Sequence, residues 1–267
     1  MHNWDETTKI TGVIFDWSGT ILDFGAMAPI RAYMKSFEEC GVPVTEDEAR
    51  NSLELTRYDH IRNMLGTRRI SREWERTWGK AWNQDDVEKI YMSLDKNFEA
   101  SLKETAQIKP GILYITRQLR EAGIKVGTTT EYNNQMLHIL LPIAEQQGFT
   151  ADCSLTSDAA MGKGRPYPYM IFLNMIKLGL MNVHQIIKVG DTVEDIKEGQ
   201  AAGAWTVGIL DGSAVMGLDE AHYNALSKSE LSKYRQRALE VYAEVGADFA
   251  IRNVTELVDV IRKIQGK

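Results

Sequence analysis

The chain has 267 residues, 43% hydrophobic and 25% charged, a balance that can bury a core without disulfide or metal staples. A formal net charge of −6 argues against a broad nucleic-acid or anionic-membrane surface, although it leaves room for a local basic pocket. Cys40 and Cys153 are far apart and lack metal-ligand spacing, the polar opening residues do not resemble a signal peptide, and no run approaches the ~18 apolar residues of a membrane span. A reduced, cytoplasmic protein is expected.

The first apolar run, Gly12 to Asp16, reads as a buried strand that ends in an acid. From about residue 25 to 106 the pattern is helical throughout. Ile30, Tyr33, Met34 and Phe37 make one face, Thr45 with Glu48 has the spacing of a capping box, and Trp74 and Trp78 are placed i, i+4 for helix packing. A long charged helix spans Asp85 to Lys103. Strands then alternate with helices. Ile112, Ile115, Thr116 and Leu119 form a helical face before the strand Ile124 to Thr130, and Ile171, Met175 and Leu178 do so before the strand Ile186 to Asp191. The next helix, Val193 to Ala202, can be terminated by Gly203. After it come a strand at Trp205 to Ile209, a polar helical stretch from Asp211 to Ala247, a strand at Asp248 to Ile251 and a helix from Thr255 to Ile264. This order predicts an α/β fold, a doubly wound parallel (Rossmann-like) sheet built from residues 1–24 and 107–267, with an all-helical domain, residues 25–106, inserted after the first strand.

Open parallel sheets bind ligands beyond the carboxyl ends of their strands. The polar groups at those ends are Asp16, Thr128 to Thr130, and Asp191 with Asp195 four residues later; Gly162 to Pro166 forms a basic loop containing Arg165. A carboxylate nucleophile, hydroxyls, a guanidinium and two further acids are the groups phosphoryl transfer needs, because that chemistry rests on positioning and charge neutralisation. Mg²⁺ suits an all-oxygen acidic site. Each signal has a plainer reading: a strand-end acid can cap a helix, Thr130 can be a turn hydroxyl and Arg165 a surface charge. Asp191 and Asp195 repel as a bare pair unless a cation lies between them.

Taken in order, these segments resemble the haloacid dehalogenase superfamily, and within it the phosphonoacetaldehyde hydrolases. The resemblance is carried by Phe15 to Thr20 with Asp23, by Thr129 to Tyr132, by Gly164 to Pro168, by Lys188 to Asp195 and by Ala202 to Gly208. In the helical block, Glu48 to Arg50 and Asp59 to Arg62 resemble that family's cap. The resemblance implies that Asp16 is the nucleophile, and that Mg²⁺ is held by Asp16, the Ser18 carbonyl and Asp191, with Asp195 as a direct or outer partner. It further implies that Thr130 and Arg165 hold phosphoryl oxygens, that His60 lies near the leaving group, that Tyr132 lines the substrate site, and that the chain forms a homodimer through a mobile cap.

Two positions depart from the pattern. Ser18 stands where most phosphatases of the superfamily carry an acid that protonates the leaving group. Arg57 stands where phosphonoacetaldehyde hydrolases carry the lysine that forms an imine with the substrate, and a guanidinium cannot do so. Glu54 and Glu131 also replace glycines of the pattern. Three readings stay open. Another lysine, such as Lys35 or Lys163, supplies the amine; or Arg57 and Glu54 recognise a different charged phosphonate or phosphate ester, with His60 as acid; or the site binds phosphate without turnover. The complete set Asp16, Thr130, Arg165, Asp191 and Asp195 argues against the last.

Overall fold

The computed structural model describes residues 9–51 and 55–266. Two compact units divide the chain, one formed by Met1–Ala26 with Ala106–Lys267 and the other by Met27–Thr105.

The described residues of the second unit contain only helices and their connections: α1 (Met27–Glu39), α2 (Glu46–Arg50), α3 (Arg57–Gly66), α4 (Arg68–Trp78) and α5 (Gln84–Thr105). Helix α1 packs along α5, burying Ile30, Tyr33 and Phe37 from one and Ile90, Leu94 and Phe98 from the other. Burial of such side chains stabilises by about 1.5–3 kcal/mol each. Between the two helices Asn97 donates to Ser36 Oγ at 3.0 Å, so this buried amide is satisfied. Thr45 and Glu48 form the capping box that their spacing predicts. Trp74 is buried and stacks on the exposed Trp78.

Among the described residues of the first unit six parallel strands form one sheet: β1 (Gly12–Phe15), β2 (Lys125–Thr130), β3 (Cys153–Thr156), β4 (Ile186–Gly190), β5 (Trp205–Ile209) and β6 (Phe249–Ile251). Their order is β3-β2-β1-β4-β5-β6. The chain builds outward from β1 on one side, then returns to build on the other. The reversal therefore lies at β1 and β4, which places Asp16 and Asp191 side by side at the crevice where such sheets bind ligands. Helices α6 (Ile112–Glu121), α7 (Asn134–Gln146), α8 (Tyr169–Leu178), α9 (Val193–Ala202), α10 (Glu220–Ala225), α11 (Lys228–Glu244) and α12 (Leu257–Ile264) complete the unit on both faces of the sheet. Helix α8 covers β2 and β3, and α9 covers β4 and β5. The approach of α9 is close enough that a Cβ at Gly199 would stand 2.6 Å from Thr206 and 3.1 Å from Lys188, so this helical position needs glycine.

The pattern of apolar runs does not reveal β3. It is a polar strand of four residues that pairs only with β2 among the described residues, and Leu155 is its one large apolar side chain. Edge strands need less apolar patterning because one side never meets the sheet.

Candidate active site

Strand β1 delivers Asp16 directly to the crevice, where its N–H donates to the Val189 carbonyl at 2.9 Å, continuing the ladder with β4. The chain then turns back over Asp191. Gly19 has φ +71° and a Cβ there would lie 2.0 Å from Asp191 Oδ2, so glycine alone permits the approach. Asp191 accepts from the Ala214 N–H at 2.7 Å and from the Thr20 hydroxyl at 3.4 Å. Asp195 occupies the third position of α9 and closes a capping box with Thr192, whose hydroxyl donates to Oδ2 at 2.6 Å. It is therefore a helix cap and a member of the acidic cluster at once. Its other oxygen, Oδ1, faces Arg165 at 3.1 Å and Lys188 at 2.9 Å.

Asp16, Asp191 and Asp195 are all buried, and one carboxylate oxygen of each lies within 4.8 Å of the others. Burial leads the causes that push Asp16 up to about 6, with Asp195 adding to the rise and Arg165 and Lys188 opposing it. Asp191 is raised well above the usual carboxylate range by burial and by its two acidic neighbours. For Asp195 burial works in the same direction, but Arg165 and Lys188 outweigh it and hold the carboxyl low. The cluster's donors are all oxygen, so the residues fit a hard divalent cation.

Arg165 reaches the cluster from the loop before α8. Its Nη2 donates to Asp16 Oδ1 at 2.5 Å and to the Thr129 carbonyl at 3.1 Å, and its Nε to Glu198 at 3.1 Å. Its Nη1 makes no hydrogen bond among the described residues. Thr130 ends β2 and accepts the Tyr132 N–H at 3.1 Å. The buried phenol of Tyr132 is held well above its usual range by burial and by Asp23, with Ser18 opposing. Ser18 donates to Asp23 Oδ2 at 2.8 Å. Glu131 accepts the main-chain N–H of Arg165 at 2.7 Å, which accounts for an acid where the family pattern has glycine.

The helical unit holds the remaining candidates. Arg57 opens α3, pairs with Asp95 at 2.7 Å and lies 4.9 Å from the centre of the Phe98 ring. His60 is fully buried, its ring 4.2 Å from that of Tyr33. Glu54 lies outside the described residues. Lys35 is on an exposed helix face, paired with Glu38 at 2.8 Å, which favours its protonated form. Lys163 approaches the Tyr169 ring at 5.8 Å.

Three further charged residues lie against these candidates. Lys109 is buried and donates to the carbonyls of Gly19, Asp211 and Gly212, and burial lowers it to about 8 against the pull of Asp191 and Asp211. Nothing in its local pattern announces this. Lys188 and Glu198 were legible in principle. A lysine inside an apolar strand must find partners, and Glu198 shares a helical face with Asp195 three residues earlier.

Residues 10–203 match the family model for haloacid dehalogenase-like hydrolases. A phosphonoacetaldehyde hydrolase of Parabacteroides distasonis is 40% identical over 260 residues, 97% of this chain and 98% of the relative. One from Lysinibacillus sphaericus is 38% identical over 256 residues, 96% and 95% of the two chains. Among solved structures, a phosphonoacetaldehyde hydrolase-like protein from Oleispira antarctica superposes with a TM-score of 0.83 at 34% identity, covering 100% of this chain and 97% of that one. A hydrolase from Deinococcus radiodurans shares the fold at 18% identity, with a TM-score of 0.66 over 96% of this chain and 97% of that one. With the acid cluster, the strand-end hydroxyl and the basic loop assembled at the reversal of a parallel sheet, the chain belongs to the haloacid dehalogenase-like hydrolases and is similar over nearly its whole length to phosphonoacetaldehyde hydrolases.

Proposed function

We propose that this chain is a magnesium-dependent hydrolase that releases phosphate from a small phosphonate or phosphorylated metabolite through an aspartyl-phosphate at Asp16. The observation that carries the reading is the placement of Arg165, with Nη2 on the Asp16 carboxylate at 2.5 Å and Nη1 without a hydrogen bond among the described residues. A guanidinium so held offers a donor to a phosphoryl oxygen at the moment the carboxylate closes on phosphorus. The Thr130 hydroxyl accepts from the Tyr132 N–H and keeps its own proton to donate to a second phosphoryl oxygen.

Asp16, the Ser18 carbonyl and Asp191 would hold Mg²⁺, with Asp195 behind them; when bound, the ion offsets the repulsion between carboxylate and phosphoryl group. The Asp16–phosphorus bond forms as the leaving group departs with its electron pair. Water then attacks phosphorus, which frees phosphate and regenerates the carboxylate. The contribution of the helical unit to this reading comes from the sequence: Arg57 and Glu54 recognise charge on the substrate, His60 protonates the leaving group, and the unit acts as the cap of a cytoplasmic homodimer. No helix among the described residues is long and apolar enough to cross a membrane.

The names of the relatives favour a second reading, hydrolysis of phosphonoacetaldehyde itself. That reaction needs a free amine. Lys109 does not supply one, because its three N–H bonds point at three carbonyls, the pattern of an ammonium. A panel of phosphate esters and phosphonates tests the first reading. Phosphate release should require Mg²⁺ and disappear in Asp16→Asn; release that persists in this variant overturns the nucleophile assignment.

A further inference from the structure

We infer that Glu198 is a positioning residue that fixes the rotation of the Arg165 guanidinium, so that Nη2 stays on Asp16 while Nη1 is turned to the phosphoryl group, an inference that rests on the reading above. Arg165 and Lys188 are bridged twice, once by Asp195 and once by Glu198. Asp195 Oδ1 meets Arg165 at 3.1 Å and Lys188 at 2.9 Å, and Glu198 Oε2 meets them at 3.1 and 3.0 Å. The result is a closed ring of alternating charge. Lys188, Asp195 and Glu198 are each fully buried. Thr129 links the same groups, its hydroxyl accepting from Lys188 at 2.7 Å and donating to Glu198 at 3.2 Å.

A buried acid of this kind is a poor stabilising device. Taking charges out of water is costly, and apolar residues of similar volume often serve as well. Among the described residues the buried Oε1 of Glu198 has no hydrogen-bond partner. What Glu198 does supply is geometry. It is the acceptor for Arg165 Nε, the edge of the guanidinium remote from Nη1. Without that anchor Nη2 keeps Asp16, Asp195 and Thr129 as partners, but the guanidinium loses the contact that sets its rotation about them. Nη1 then has no fixed direction toward the phosphoryl group. The main chain of Arg165 is fixed separately by Glu131, so removing the Glu198 charge loosens the Nε edge of the side chain and leaves the Glu131 contact of its loop in place.

The test is calorimetric titration of orthovanadate, in the presence of Mg²⁺, into the full-length protein, its Glu198→Gln and Arg165→Ala variants, and the double variant. Glu198→Gln should weaken vanadate binding about tenfold in the native background, and by less than about twofold when Arg165 is already absent. An equal loss in both backgrounds shows a general structural effect and overturns the proposal, as does unchanged affinity in Glu198→Gln. If Glu198→Gln does not fold, the charge-neutral pair Lys188→Met with Glu198→Gln gives the same comparison without stranding a buried cation. Failure of the unaltered protein to bind vanadate removes the proposed function itself, and this inference with it.

Discussion

Ser18 donates its hydroxyl to the buried carboxylate of Asp23 at 2.8 Å. The position that carries an acid in most phosphatases of the superfamily is thus occupied by a hydroxyl already committed to Asp23. Asp23 itself sits at φ +59°, a left-handed conformation that non-glycine residues rarely adopt, so the loop between β1 and α1 is held in a specific shape.

Ser18→Ala should therefore change turnover by less than about threefold and lower stability by about 1 kcal/mol, the usual consequence of removing one hydrogen bond. Steady-state kinetics beside a thermal melt distinguishes the two effects. A hundredfold fall in kcat would place the hydroxyl in proton transfer.

Metal affinity should fall as pH drops through about 6, because Mg²⁺ requires the ionised carboxylates, and burial has raised Asp16 to about 6 and pushed Asp191 well above the usual carboxylate range. The sign for stability is opposite in the metal-free protein. The folded state holds Asp16 above its ordinary value of 3.8, so it takes up more protons than the unfolded chain, and this group destabilises the fold as pH rises through the interval from about 4 to about 6. The increase in Tm on adding Mg²⁺ should then be largest above pH 6 and shrink below it. Melting curves at pH 5, 6 and 7.5 with and without Mg²⁺ are the check; a pH-independent increment would mean that the ion binds elsewhere.

Lys109→Met should destabilise the protein by about 2–4 kcal/mol, since it leaves three inward-facing carbonyls without their donor. It should also weaken Mg²⁺ binding, because Gly19, one of the three, lies against Asp191. Denaturant unfolding and metal titration measure both. A variant that loses stability but binds Mg²⁺ normally would confine Lys109 to a structural role.

Arg57→Lys should be labelled when borohydride is added with phosphonoacetaldehyde, whereas the native chain should not. Mass spectrometry of the digested protein locates any adduct. Labelling of the native chain would identify a different lysine as the amine and favour the second reading of function.

The sequence determined the alternation of strands and helices, the helical insertion, and the acids and hydroxyls that end β1, β2 and β4, because apolar periodicity and turn residues act over a few neighbours. Motif order then carried the family. It did not reveal β3, whose edge position relaxes the apolar pattern, nor the full surroundings of Arg165. The contacts there join residues 33 and 149 positions apart, Arg165 with Glu198 and with Asp16. Lys109 reaches back 90 residues to Gly19. Long side chains take their partners from whatever the sheet order brings beside them. Only the return of the chain across β1 made neighbours of Lys188, Glu198 and Arg165, because a charge buried in that crevice is stable only where opposite charge already waits.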